Sequence, residues 1–287
     1  MPLAPTPNLV CPFDSLPLAD TGASLACPRG HTFDRAREGY VNLLPVQDKA
    51  SRDPGDSKEM VAARRRFLET GAYEPIAEAL GAAVLASLAR RAATQPITVL
   101  DAGCGEGFYL DRLAAQLAAR PETIHLAGID ISKWAVRAAA KRTSVPAAWA
   151  VASNRRPPFA TGSIDLIACL FGFPVWDGFA SVQPAGGEVI LIDPGPDHLQ
   201  ELRALIYPEV KRGERPALAP QPGYTPLSAH AVTAHAHLAT PQAIADLLAM
   251  TPHAHRATTD GRTRLAACTT LDVTIDVEVR TYVRLAT

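Results

Sequence analysis

The sequence predicts an α/β fold built on a doubly wound, mostly parallel sheet behind a small N-terminal module. Three observations carry this. From Ile97 onward, short apolar runs alternate with helical patterns, the mark of β-α-β units. The run Ile97–Leu100 closes on an acid and a turn of alternating glycines, Asp101-Ala102-Gly103-Cys104-Gly105-Glu106-Gly107. A second run, Ile124–Ile129, closes on another acid, Asp130.

Taken in order, the first 45 residues lack helical periodicity. They carry Cys11-Pro-Phe-Asp14, then Cys27-Pro-Arg-Gly-His31. The spacing C-x2-D-x12-C-x3-H is that of two metal-binding turns facing each other. Cys11, Asp14, Cys27 and His31 are therefore candidate zinc ligands. A carboxylate is a harder and less usual partner in a closed zinc site than a thiolate. The alternative is a metal-free ribbon held by Phe13, Phe33 and Tyr40. Residues 46–95 read as a helical linker. Asp56 or Ser57 can cap a helix through Met60, Arg64 and Phe67, with Gly71 as its stop. A second helix, Pro75–Arg91, carries an apolar stripe, and the pair could cover a cofactor site.

Residues 96–287 form the third region. Strands are expected at 97–101, 124–130, 147–151, 164–170 and 187–193, with helices at 108–119, 133–142 and 176–182. Ser132 is a suitable cap for the middle helix. A helix over 197–210, a Pro-rich loop over 216–226, a strand over 231–238, a helix over 240–250 and a closing strand over 270–284 follow.

The chain has 287 residues, 47% of them hydrophobic, which suffices for one large domain and one small one. Its longest apolar candidate, Ile76–Ala89, is interrupted by Glu78 and is too short for a bilayer. No signal-peptide pattern opens the chain, and five scattered cysteines suggest reduced thiols. A cytoplasmic protein without membrane association is expected. A net charge of −1 is not that of a strongly basic nucleic-acid binder. Basic clusters at Arg64–Arg66, Arg90–Arg91, Lys141–Arg142, Arg155–Arg156 and Lys211–Arg212 with Arg215 permit RNA without demanding it.

Strand, glycine turn and helix let backbone approach a nucleotide-like ligand closely. The spelling is neither the dinucleotide fingerprint nor a P-loop. It resembles the first motif of class I S-adenosylmethionine (SAM) methyltransferases, with a Rossmann-like, seven-stranded sheet. Asp130, at the end of the second strand, suits a ribose diol.

A closer resemblance covers nearly the whole chain. Its carriers are Cys11…Cys27-Pro-x-x-His31, then Phe33-Asp34-x-Ala36-x-Glu38-Gly39-Tyr40-Val41-Asn42-Leu43-Leu44-Pro45, then Ser51-Arg52-Asp53-Pro54-Gly55-Asp56-Ser57. It resumes at Asp101–Gly107, Ser132-Lys133, Ala152-Ser153, Pro194-Gly195-Pro196-x-His198-Leu199 and Met250-Thr251-Pro252. These resemble the bacterial 23S rRNA (guanine-N1)-methyltransferases, a group that includes macrolide-resistance enzymes. The resemblance implies a zinc ribbon that recognises RNA and a SAM-dependent domain that methylates guanine N1 in a 23S rRNA hairpin. It implies cofactor contacts at Asp101, Gly103, Gly105, Gly107, Asp130, Ile131 and Ser153, with S-adenosylhomocysteine as product. A homodimer stays open.

Two departures stand out. Asp14 occupies a family cysteine position, and Phe171-Gly-Phe-Pro174-Val-Trp176-Asp177 is spelled differently from the family. Guanine N1 carries a proton, so methylation needs a base or a group that stabilises charge on O6. Asp177, Asp193 and His198 follow the fourth and fifth strands and are the candidates. Phe171, Phe173 and Trp176 either stack a base or pack as a lid. A small-heterocycle N-methyltransferase and a non-catalytic RNA-binding protein are the competing readings.

Overall fold

Ile97, Val99, Leu100 and Ala102 are all buried, so the run that ends in the glycine turn has no solvent face. That is the environment of a central parallel strand covered on both sides. The computed structural model describes residues 8–49, 51, 53–91, 96–120, 123–142, 146–210 and 212–286. Arg52 and Lys211, named above among the basic clusters and motifs, lie outside the described residues.

The N-terminal module holds β1 (Ala19–Asp20), β2 (Ser24–Ala26) and β3 (Thr32–Asp34), a small antiparallel sheet, followed by β4 (Tyr40–Asn42). Two helices come next, α1 (Lys58–Leu68) and α2 (Glu74–Ala89). Ser57 caps α1, its hydroxyl accepting from the Met60 amide. The main body then runs β5 (Ile97–Ala102), α3 (Phe108–Leu117), β6 (Ile124–Asp130), α4 (Lys133–Arg142), β7 (Ala147–Val151) and β8 (Leu166–Leu170). It continues through α5 (Trp176–Val182), β9 (Glu188–Pro194), α6 (Gln200–Ile206), β10 (Tyr224–Leu238), α7 (Pro241–Ala249), α8 (Thr259–Ala266) and β11 (Leu271–Arg284).

One sheet takes the order β10-β11-β9-β8-β5-β6-β7-β4. Strands β4 to β9 pair in parallel, and β11 runs antiparallel to both β9 and β10. The expected seven strands are present, and β4 adds an eighth beside β7. Strand order reverses between β5 and β8, the position where open α/β sheets form a crevice at their carboxyl ends. A bridge between Leu9 and Phe159 ties the first turn of the N-terminal module to the same body.

Three elements differ from the sequence expectation. The helix expected over 197–210 is confined to Gln200–Ile206, because Leu199 is left-handed at its start and Tyr207, preceding Pro208, is extended. Strand β10 begins seven residues before Ala231, since β11 templates it along Tyr224–Leu238 although its own side chains are mostly exposed. Helix α8 is polar and lacks a clear stripe; the Thr258 hydroxyl caps it at Gly261. Among the described residues, no helix is long and apolar enough to cross a membrane.

Candidate active site and metal centre

The carboxyl ends of β5 and β6 converge on the glycine turn. Gly103, Gly105 and Gly107 take φ of 98°, 54° and 84°, a region that L side chains rarely adopt. Their roles differ. A Cβ on Gly103 would meet open space, although the residue itself is half-buried. A Cβ on Gly107 would lie 2.9 Å from the Ala139 Cβ and 3.0 Å from the Trp149 ring. Gly107 therefore lets α3 pack against α4 and β7.

Asp130 braces the turn from the neighbouring strand. Its Oδ2 accepts from the Gly105 amide at 3.0 Å and its Oδ1 from the Ser132 amide at 2.7 Å. Asp101 is 2% exposed, and its Oδ2 is buried without a hydrogen-bond partner. Burial, then the nearby Asp130 charge, pushes its pKa up to about 7. An unpartnered buried carboxylate oxygen costs on the order of 1–3 kcal/mol and marks a place where a donor belongs. Ile131 lies under the loop before α1: a Cβ on Gly55 would come within 2.9 Å of the Ile131 Cγ2. The Ser132 hydroxyl donates to the Asp56 carbonyl. Ser153, beyond β7, accepts from the Arg155 amide.

The far wall is aromatic. Phe171, just after β8, has φ of 53° and is 37% exposed. Its ring lies 6.0 Å from Tyr73 and 5.7 Å from His198. Tyr73 Oη stands 3.1 Å from His198 Nε2, and the Asp276 amide donates to His198 Nδ1. Burial lowers the His198 pKa to about 4. Phe173 projects to solvent at 89% exposure. Trp176 turns inward, 5.0 Å from Tyr224 and 5.1 Å from Tyr282, as lid packing.

In the N-terminal module, Cys11, Asp14, Cys27 and His31 bring one donor atom each within 4.8 Å of one another. His31 Nδ1 is 3.4 Å from each cysteine sulfur and 3.2 Å from Asp14 Oδ2, which is 3.4 Å from Cys27 Sγ. Bonds of about 2.0–2.3 Å in a tetrahedron give edges of about 3.3–3.8 Å. The four distances given, 3.2 to 3.4 Å, are close to that size. Phe13 roofs the cluster, its ring 5.0 Å from His31 and 6.0 Å from Phe33.

Both regions match known proteins. Residues 9–52 match the family model described as RlmA, N-terminal, a zinc ribbon, and residues 99–183 match a methyltransferase domain. A Bacillus subtilis protein named as the 23S rRNA (guanine-N(1)-)-methyltransferase YxjB is 33% identical over 275 residues, covering 94% of each chain. A Micromonospora griseorubida protein with the same enzyme name is 36% identical, covering 68% of each chain. The 23S rRNA (guanine(748)-N(1))-methyltransferase of Streptomyces fradiae is 36% identical, covering 68% of this chain and 66% of that one. The chain belongs to the 23S rRNA (guanine-N1)-methyltransferase family.

Its catalytic body is accordingly a class I SAM-dependent methyltransferase. Of the residues expected at this family member's site, Asp101, Gly103, Gly105 and Asp130 lie together at the carboxyl ends of β5 and β6. Asp193, on β9, is held by an ion pair with Arg280. Asp177 is exposed in the first turn of α5. Sequence reasoning missed Tyr73 and left Arg64 among surface arginines. Arg64 lies on α1 and Tyr73 in the turn before α2, and nothing in the local pattern separates a residue near the glycine turn from a core one. Arg64, Arg65 and Arg66 are paired with Asp56, Glu69 and Asp246.

Proposed function

We propose that this chain transfers the methyl group of SAM to N1 of a guanine in 23S rRNA. The observation that carries this reading is the unpartnered, buried Asp101 oxygen beside the open face of Gly103. It occurs in a chain that matches a named rRNA methyltransferase over 94% of both lengths. In this reading residues 1–45 recognise RNA, 46–95 cover the crevice and 96–287 catalyse.

The crevice fits the cofactor. Asp101 would accept from the ammonium, and Asp130, with lone pairs beyond its two backbone bonds, would accept from the ribose diol. Gly103 and Gly105 leave room for close approach, with Ile131 and Ser153 at the margin. SAM supplies an electrophilic methyl on a good leaving group. The chain's own task is to hold the acceptor in line and to receive its proton. Methylation at N1 displaces the N1 proton, which a group of the chain must receive. Of the candidate groups, Asp177 is the one left open to receive it. Asp193 is committed to Arg280, and His198 has both ring nitrogens bonded. Phe171 and Phe173 would stack the base. Cys11, Asp14, Cys27 and His31 would hold zinc, which fixes the ribbon's turns.

The test is methyl transfer from labelled SAM to deproteinised 23S rRNA, with mapping of the modified nucleoside by mass spectrometry. One methyl per rRNA at a guanine N1 is expected. Label found only in small heterocycles of a cell extract overturns the RNA reading.

A further inference from the structure

Arg64 sits on α1, outside the sheet, yet its guanidinium lies over the glycine turn. Its Nη1 is 3.6 Å from the position a Cβ on Gly105 would take. The same nitrogen donates to Asp56 Oδ2, and Nη2 donates to the Met250 carbonyl at 3.0 Å. Three segments therefore aim one cation at the crevice: the loop before α1, α1 itself and the end of α7.

Joining α1 to α7 does not require this placement. Arg66, two residues on, already does so with a bidentate bond to Asp246, at 2.9 and 2.6 Å. Asp101 and Asp130 line the turn, Asp56 holds the guanidinium, and the field of Arg64 reaches Asp130, Tyr73 and Tyr109. A ligand that brings a carboxylate here would be repelled by those acids unless a cation met it. Arginine's planar fork suits a carboxylate, and its five N–H groups can serve protein anchors and a ligand together.

We propose that Arg64 grips the carboxylate of the cofactor's methionine moiety, held over the turn by Asp56 and the Met250 carbonyl. The proposal rests on the reading that this turn binds SAM, and it assigns the carboxylate end that Asp101 and Asp130 cannot take.

The experiment is calorimetric titration of the full chain with SAM and with decarboxylated SAM, which keeps the sulfonium and amine and lacks only the carboxylate. Wild type is expected to bind SAM more tightly. Arg64→Met should weaken SAM by about 10- to 100-fold, the range for a charged hydrogen-bonded contact, and leave decarboxylated SAM within about threefold. Equal loss for both ligands, or no loss for SAM, overturns the assignment. Should Arg64→Met lose its cooperative melt, Arg64→Lys carries the test. It keeps the charge without the fork, and a loss confined to SAM is again expected. Wild type that binds neither ligand removes the cofactor reading itself, and this proposal with it.

Discussion

Tyr73 Oη and His198 Nε2 lie 3.1 Å apart, and a second bond sets the direction of that contact. The Asp276 amide donates to Nδ1, so Nδ1 must be an acceptor and the neutral ring carries its proton on Nε2. His198 then donates to Tyr73, and the phenol's own proton points elsewhere. The imidazole works as a neutral brace that orients Tyr73 beside Phe171.

That geometry has a pH signature. Burial, the largest influence, holds the His198 pKa at about 4, against about 6.5 in the unfolded chain. Between those values the unfolded chain binds the extra proton, so stability rises with pH across the window. The contribution is complete above about pH 6.5 and is lost as pH falls toward 4, on the order of 3 kcal/mol in all. Unfolding of wild type and His198→Gln by denaturant at pH 7, 6, 5 and 4 checks this. The variant should lose stability less steeply on acidification. Parallel curves would show that His198 does not stay neutral in the folded chain.

Asp101 titrates in the opposite sense. Its folded pKa is raised from 3.8 to about 7 by burial and then by Asp130. Free protein at pH 6 therefore holds a proton there, and an ammonium placed against the carboxylate would expel it. Binding of S-adenosylhomocysteine at pH 6 should release close to one proton, read as a dependence of the calorimetric heat on buffer ionisation enthalpy. Asp101→Asn should abolish that release and weaken binding by about 10- to 100-fold. Proton release that survives in Asp101→Asn assigns it to another group.

The metal cluster makes a separate prediction. Cys11, Asp14, Cys27 and His31 bring their donors within 4.8 Å of one another, but one donor is a carboxylate where a thiolate is softer and more usual. Freshly purified protein should carry one zinc per chain and yield it to a chelator. Asp14→Cys should hold zinc at least tenfold more tightly, and Cys11→Ser should lose it with a fall in melting temperature. Metal content and chelator competition decide the matter. An Asp14→Cys variant that releases zinc as readily as wild type contradicts the weakened site.

The glycine turn, both acids, the four-donor cluster and the caps at Ser57 and Ser132 were legible because each is local chemistry at fixed spacing. Tyr73, Arg64 and Met250 were not. They reach the crevice from elements far from the turn in sequence, and a helical stripe encodes burial without saying what lies above it. The aromatic run after β8 was legible in composition only. Trp176 packs because Tyr224 and Tyr282 meet it, and the sequence does not disclose that β10 extends back to Tyr224. Arg64–Arg66 look like a surface patch until Asp56, Glu69 and Asp246 are brought to them.

That last point changes which arginines should matter for RNA. Among the described residues, neither Arg155 nor Arg156 makes an ion pair, and both are exposed in the loop after β7. The Asn154 amide touches the Phe173 carbonyl at 3.5 Å, so the two loops share one rim beside the crevice. An exposed aromatic next to two unpaired cations can stack a base and hold its phosphates. Replacing both arginines by glutamine should weaken binding of a 23S rRNA fragment. It should also flatten log K against log salt by about 1.4 to 1.8, since each phosphate contact contributes about 0.7 to 0.9. S-adenosylhomocysteine affinity should not change. Arg66→Gln should instead lower stability by taking the bidentate partner from the buried Asp246, with the salt slope intact. A salt slope that responds to Arg66 and ignores Arg155 and Arg156 would move the RNA face from this rim to α1.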